Sequence, residues 1–173
     1  KAGRLGAEHL MQKGHFKTIY IDTQQQNSSS RDRYAGFIDA YRAHGKPYQT
    51  ETEYFDTEGG YYSQLIQPNG VWRADAVVAY NDLIAWDVLT RASYPINGCI
   101  PRAALSILAL DNLHSFLPLP FSLTSVSASK VSMARRSAEI LLNQIDHPCI
   151  PLNHLTLDVE LIDRGSVQEL CKK

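Results

Sequence analysis

Short apolar runs that alternate with helical patterns are the feature that most restricts the folds open to this chain. Runs that predict strands lie at 18–21, 50–55, 75–80, 105–110 and 155–161. The run at 105–110 has the apolar character of a central parallel strand, which is buried on both faces. Strands that alternate with helices through short loops predict an α/β fold, a doubly wound parallel sheet flanked by helices.

Helices are predicted where apolar residues recur at intervals of three or four, as Phe37 and Tyr41 do. The predicted helices cover 7–14, 33–45, 59–66, the stretch after Asp82, and 131–145. Gly14 and Gly45 terminate two of them, as glycine often does. The polar stretch 23–30 is predicted to be a loop.

The composition is that of a folded chain with little net charge. Its 173 residues fit one domain, 44% are hydrophobic, and 17 basic against 18 acidic residues give a net charge of −1. Nucleic-acid binding by this segment alone is disfavoured, because counterion release needs a concentrated basic face. No apolar run approaches the roughly 20 residues of a membrane span. Three cysteines without a CxxC pair argue against a disulfide framework and favour a reducing cytoplasm.

The sequence contains no recognisable enzyme motif. GxSxG, GxxxxGKS/T, GxGxxG and HExxH patterns are all missing. His147, Cys149 and His154 do not have the spacing of a zinc site. We therefore expect no catalytic residues, no metal and no cofactor.

Polar loops follow the predicted strands at the edge where ligands bind in open α/β sheets. They are 27–33 after the first strand, Phe55 and Asp56 after the second, Asn81 and Asp82 after the third, and Asp111 and Asn112 after the fourth. Arginine, amide and carboxylate groups suit hydroxyls that both donate and accept, and an aromatic ring packs on a sugar face. The combination predicts a site for a polyhydroxylated ligand.

Each of these residues also has a structural alternative. Asn81 and Asp82 could cap the following helix, and Phe55 could belong to the core. Arg33 could be a solvated residue at a helix start, although the helix dipole disfavours a cation there. The sequence leaves these alternatives open.

Six motifs, in order along nearly the whole chain, resemble one family. They are RLGAEHL at 4–10, SSRDRYAGF at 29–37, DAVVAYND at 75–82, SILALDN at 106–112, LTSV at 123–126 and LIDRGS at 161–166. Together they resemble the effector-binding domain of the lactose/galactose repressor family of bacterial transcription regulators. The fold of that domain is similar to the periplasmic-binding-protein fold of type I.

The resemblance assigns effector contacts to positions in the same loops. These positions are Asn27, Ser29, Arg33, Phe55, Asn81, Asp111 and Lys130. Arg33 and Asp111 correspond to the arginine and the carboxylate that bind sugar hydroxyls, and Phe55 to the stacking aromatic. Lys130 is similar to a lysine of arabinose-type repressors, a possible variant of the family; its alternative is a solvated helix-start residue. Ala109 departs from the glycine usual in the family.

The resemblance also implies a division of the chain. Residues 1–126 correspond to the C-terminal lobe of a two-lobe effector-binding domain, truncated at its N-terminus. Residues 127–152 correspond to a return segment that normally packs in the missing N-terminal lobe, and 153–173 to the closing strand and tail. In such a fragment we expect the helix at 131–145 to expose an apolar face.

The function implied by the resemblance is that of a cytoplasmic, homodimeric regulator. A small sugar or sugar derivative binds between the lobes and changes DNA binding by an N-terminal head that this chain lacks. The family's dimer interfaces correspond to Tyr61, Tyr62, Trp86, Leu89, His114, Phe116 and Leu117. The alternative function is that of a periplasmic or extracellular solute-binding protein of a sugar transporter.

Overall fold

A six-stranded sheet forms the centre of the computed structural model, which describes residues 1–24, 27–56, 60–92, 105–113, 121–151 and 154–170. The strands are β1 Lys17–Thr23, β2 Gln49–Phe55, β3 Ala76–Ala79, β4 Ser106–Ala109, β5 Thr124–Ala128 and β6 Val159–Ile162. The helices are α1 Ala2–Gln12, α2 Ser28–His44, α3 Asp82–Ala92 and α4 Lys130–Asp146, with a short 3-10 helix at Gly60–Gln64. Within these described ranges, no helix has the length and apolar character needed to cross a membrane.

The strands follow the order β2-β1-β3-β4-β5-β6 across the sheet. Strands β1 to β5 run parallel, and β6 pairs antiparallel with β5. Val159 pairs with Ala128, so the chain re-enters the sheet at the edge where β5 leaves it, and β6 must run backwards. The predicted α/β fold is confirmed, with a sheet that is mixed rather than wholly parallel.

Two hydrophobic clusters cover the two faces of the sheet, because successive side chains of a strand point to opposite sides. Tyr20 belongs to the cluster beneath α1 and α2, whereas Ile19 and Ile21 belong to the cluster beneath α3. Every residue of β3 and β4 is buried. This is the burial expected of central strands in a sheet that is covered on both faces.

The loop prediction for 23–30 is wrong at both ends, because Thr23 is the last residue of β1 and α2 begins at Ser28. Asn27 is the N-cap of this helix, and its side-chain oxygen accepts a hydrogen bond from the Ser30 N–H at 2.9 Å. Asparagine and serine are common in loops for the same reason that they are common at helix starts: their side chains bind nearby backbone groups.

Two other predicted elements are shorter in the structure. The helix expected over 59–66 is only the 3-10 turn Gly60–Gln64, because Ile66 pairs with Trp72 in an antiparallel β-bridge instead of continuing a helix. The strand expected over 155–161 begins at Val159, because the residues before it have no partner strand beyond Ala128.

Helices α1 and α2 approach each other closely at a glycine. A Cβ atom at Gly3 would overlap the carbonyl oxygen of Arg33 and lie 2.9 Å from the backbone nitrogen of Phe37. Only a residue without a Cβ permits backbones to come so near. The contact places the N-terminal half of α2, which carries Arg33, directly against α1.

Asp82, the first residue of α3, joins the ends of two strands. Its carboxylate accepts hydrogen bonds from the N–H groups of Asn112 at 3.2 Å and Leu113 at 2.7 Å, and from the Ser125 hydroxyl at 2.8 Å. The side chain is fully buried. Asp82 therefore holds the loop after β4 and the strand β5 against α3, a larger role than the helix cap considered from the sequence.

We expect Gly3→Ala to lower the free energy of unfolding by about 1–3 kcal/mol, because the added methyl group forces two helix backbones apart. Gly36→Ala is the matched control, since its Cβ would lie 3.5 Å from the Arg4 nitrogen, an ordinary contact. Alanine should stabilise α2 there by up to about 1 kcal/mol. Urea denaturation measures both changes, and equal stabilities of the two variants would contradict the close approach.

We expect Asp82→Ala to lower the free energy of unfolding by roughly 2–4 kcal/mol, because the buried Ser125 hydroxyl and the Leu113 N–H lose the carboxylate that accepts their hydrogen bonds. Asp39→Ala serves as the control: Asp39 forms an exposed ion pair with Arg42 at 3.5 Å, and such pairs contribute little. Thermal and urea unfolding give the comparison. A loss at Asp82 no larger than that at Asp39 would rule out the joining role.

Candidate functional site

Arg33 is the centre of the polar groups at the carboxyl edge of the sheet. Its Nη1 donates to the backbone carbonyls of Tyr80 at 2.8 Å and Leu110 at 2.9 Å, and its Nη2 donates to Oδ1 of Asp111 at 2.9 Å. These acceptors follow β3 and β4, which are neighbours in the sheet. One side chain of α2 therefore spans the ends of two strands.

The ion pair of Arg33 and Asp111 is sheltered but reachable from solvent. The two side chains are 21% and 29% exposed. The guanidinium carbon of Arg33 also lies 4.7 Å from the centroid of the Tyr80 ring. The alternative of a freely solvated Arg33 is therefore wrong, since three oxygen acceptors and an aromatic ring hold it.

Asn81 caps α3, which was one of the two roles that the sequence left open for it. Its side-chain oxygen accepts a hydrogen bond from the Ile84 N–H at 2.9 Å. The amide nitrogen takes no part in this bond and carries the donors that a ligand hydroxyl requires. Contact between this nitrogen and a ligand stays a prediction.

A cleft of about 480 Å³ opens beside the N-terminus of α2. Its lining consists of Lys1, Ala2, Ser28, Ser29, Asp32, Arg33, Thr156, Leu157 and Val159. Ser29 and Arg33 of the predicted set reach this cleft, whereas Asn27 is the helix cap. Sequence reasoning missed the segment 156–159, because nothing in its own residues shows that it lines a cleft together with the start of α2.

Phe55 and Lys130 lie on elements to either side of Arg33. Phe55 ends β2, an outer strand, and packs half-buried against the cluster beneath α3, so its ring contributes to the core. Lys130 begins α4 after the N-cap Ser129, whose hydroxyl oxygen accepts a hydrogen bond from the Ser132 N–H at 3.2 Å. Ligand contacts by Phe55 and Lys130 stay predictions.

Asp22 is a buried acid that sequence reasoning missed. Its Oδ2 accepts a hydrogen bond from the Ser30 hydroxyl at 2.6 Å, and its Oδ1 accepts one from the Thr23 N–H at 2.8 Å. The bond with Ser30 ties the end of β1 to the first turn of α2. A signal was present, since an acid directly follows the apolar run 18–21. Across the described ranges, no three His, Cys, Asp or Glu side chains form a group that could hold a metal ion.

The Tyr20 hydroxyl, close enough to Arg33 to be influenced by its charge, is itself uncharged. Burial raises the pKa of the Tyr20 hydroxyl, and the Asp22 carboxylate raises it further, so the phenol stays protonated. In the part of the chain that the structure describes, this hydroxyl has no hydrogen-bond partner. The Tyr20 ring packs edge-on against Tyr34, with 5.1 Å between the centroids.

The predicted dimer contacts lie only partly within the described residues. Trp86 on α3 is 42% exposed, Leu83 beside it is also exposed, and Leu89 is half-buried. Tyr62 is 4% exposed and packs edge-on against Trp72. Outside the described residues are His114, Phe116, Leu117 and the side chain of Tyr61. The dimer interface stays a prediction.

Comparison with known protein families identifies one match along most of the chain. The model of the periplasmic binding protein-like domain matches residues 7–167. The HTH-type transcriptional repressor PurR of Mannheimia succiniciproducens is 26% identical over 98% of the chain and 51% of its own length. The chain thus spans about half the length of the curated relatives it matches, and this relative is a repressor rather than an enzyme.

Solved structures share the fold. A LacI family transcriptional regulator from Enterococcus faecium with bound ribose has a TM-score of 0.76 at 24% identity, covering 98% of this chain and 63% of that one. A dimeric Lac repressor has a TM-score of 0.74 at 22% identity, covering 98% and 62%. The family match and the fold agree: the chain belongs to the periplasmic binding protein-like domain family.

Proposed function

We propose that this chain is the effector-sensing domain of a bacterial transcriptional regulator and that it binds a small sugar or sugar derivative. The observation that carries the proposal is the ion pair of Arg33 and Asp111, with 2.9 Å between Nη2 and Oδ1. It lies at the sheet edge where ligands of open α/β proteins bind. The repressor name of the relative and the ribose in the Enterococcus faecium regulator support the proposal.

Arg33 is already held in a position to bind a hydroxyl group. A guanidinium has five N–H donors, and within the described residues three of them serve Tyr80, Leu110 and Asp111. A sugar hydroxyl can accept from a remaining donor and donate to Oδ2 of Asp111. Because the backbone carbonyls already fix the guanidinium, little side-chain entropy is lost on binding. The pair is neutral overall, which favours an uncharged ligand over an anion.

The exposure of α4 supports the proposed division into 1–126, 127–152 and 153–173. No residue of α4 is buried, and its apolar side chains are exposed, Leu142 by 61% and Ile145 by 65%. Exposed apolar residues at helical spacing mark a face that packs against another surface. Packing in a second lobe of the parent protein accounts for that face.

In the proposed regulator, the ligand binds between two lobes and favours one of their arrangements. It shifts this equilibrium only by the difference between its affinities for the two arrangements. A separate head domain binds DNA, and the face of α3 that carries Trp86 and Leu89 joins two copies in a cytoplasmic homodimer. No step requires a catalytic residue.

A solute-binding protein of a sugar transporter is the alternative function, since the matching family takes its name from periplasmic binding proteins. The repressor relative favours the regulator. The parent sequence separates the two: a helix-turn-helix segment supports the regulator, and a secretion signal supports the transporter.

Titration of the full-length protein with a panel of pentoses and hexoses tests the site. For a sugar that binds, we expect Arg33→Ala and Asp111→Ala each to weaken binding by roughly 10- to 150-fold, because each removes a hydrogen bond to a charged group. Isothermal titration calorimetry measures the dissociation constants, and circular dichroism checks that each variant is folded.

Arg73→Ala is the matched control for this titration. Arg73 forms an ion pair with Glu51 at 2.6 Å, with an exposure similar to that of the proposed pair. Its removal should leave the affinity within about twofold, because Arg73 binds Gln64 and Glu51 and none of the groups around Arg33. Unchanged affinity in both the Arg33 and the Asp111 variants would refute the site, and a protein that binds no sugar would refute the ligand class.

Leu142→Gln tests the packing of α4. In the full-length protein we expect it to lower the free energy of unfolding by about 1.5–3 kcal/mol, because a buried leucine is lost. In the isolated chain the same change should have little effect, since Leu142 is exposed there. Urea unfolding in both backgrounds gives the comparison, and equal effects would contradict the proposed packing.

A further inference from the structure

Tyr80 contacts Arg33 in two separate ways. Its backbone carbonyl accepts a hydrogen bond from Nη1 at 2.8 Å, and its ring centroid lies 4.7 Å from the guanidinium carbon. Any residue at this position offers the carbonyl, but only an aromatic residue offers the ring. The ring contact is therefore specific to tyrosine or another aromatic side chain here.

The ring contacts a long side chain that extends over the ends of two strands. Arg33 extends from α2 past the end of β3 at Ala79 to reach Leu110 and Asp111 beyond β4. Fixing such a side chain costs rotamer entropy, and the face of an aromatic ring attracts a guanidinium electrostatically. Tyr80 thus offsets part of the cost of holding Arg33 extended before a ligand arrives.

The backbone around Tyr80 gives its ring a defined place. The Tyr80 N–H donates to the carbonyl of Ile21 at 2.9 Å, which continues the pairing of β1 with β3. The next residue, Asn81, caps α3 through the Ile84 N–H. Tyr80 is half-buried between these two fixed points.

We propose that Tyr80 is a positioning residue, whose ring holds the Arg33 guanidinium in the orientation that binds a sugar hydroxyl. This role rests on the proposed function, because it takes Arg33 to be a ligand contact. Tyr80 acts through Arg33, and its own hydroxyl is not required. A phenylalanine should therefore replace it, and an aliphatic residue of similar size should not.

The contact is tested first in the ligand-free, full-length protein by NMR of the arginine side-chain N–H groups. The Arg33 signals, identified by their loss in Arg33→Lys, should be shifted upfield by the ring. We expect Tyr80→Leu to abolish this shift and Tyr80→Phe to preserve it. Unchanged Arg33 signals in Tyr80→Leu would overturn the proposal, whether or not any sugar binds.

Calorimetric titration with D-ribose and L-arabinose then tests the effect on binding. We expect Tyr80→Leu to weaken binding by roughly three- to thirtyfold, the range of a cation–π contact, and Tyr80→Phe to restore it. In an Arg33→Ala background, Tyr80→Leu should cause no further loss, because the ring acts only through Arg33. Losses that simply add would overturn the positioning role.

Tyr48→Leu is the matched control. Tyr48 is half-buried just before β2, at the opposite edge of the sheet, and its ring centroid lies 5.3 Å from that of Tyr41. It should leave the affinity and the Arg33 signals unchanged. An equal loss of affinity in Tyr48→Leu would mean a general effect on the fold and would overturn the proposal. If no sugar of the pentose and hexose panel binds but the Arg33 signals respond as expected, the proposed ligand class fails and the positioning of Arg33 by Tyr80 is supported.

Discussion

The parallel register of β1, β3 and β4 is the constraint on which every contact of the site depends. Ala79 pairs with Ile21 on one side and with Ala109 on the other, so the residues that follow each strand lie at the same level. Arg33 can therefore reach carbonyls beyond two strands with a single nitrogen. In an antiparallel sheet, neighbouring strands would end at opposite edges, and one side chain could not join their ends.

Three acids near this edge have different roles because of their depth in the fold. Asp22 and Asp82 are buried, and serine hydroxyls and backbone N–H groups satisfy their oxygens. Asp111 is partly exposed and forms an ion pair with Arg33. The two buried acids thus stabilise the loops, and Asp111 is the acid placed to meet a ligand. The degree of burial, rather than the residue type, distinguishes the structural carboxylates of Asp22 and Asp82 from the carboxylate of Asp111, which is a candidate for ligand binding.

The strands and their common edge could be predicted from the sequence, because leaving an apolar run such as 105–110 exposed to water costs too much free energy. The same logic brought Arg33 and Asp111 together, since residues after parallel strands meet at one edge. The start of α2 and the role of Asp82 could not be predicted, because polar side chains serve equally in loops, caps and buried networks. The segment 156–159 was missed because only the tertiary fold places it at the cleft that α2 also lines.

The antiparallel pairing of β5 and β6 has a mechanical consequence. Ala128 and Val159 are paired, so the excursion that contains α4 leaves and re-enters the sheet at one point. Nζ of Lys1 lies 2.8 Å from the Asp158 carboxylate, so the start of α1 also lies close to this point. The excursion is therefore held to the sheet at a single place, while α4 itself has no residue buried against the sheet or its helices.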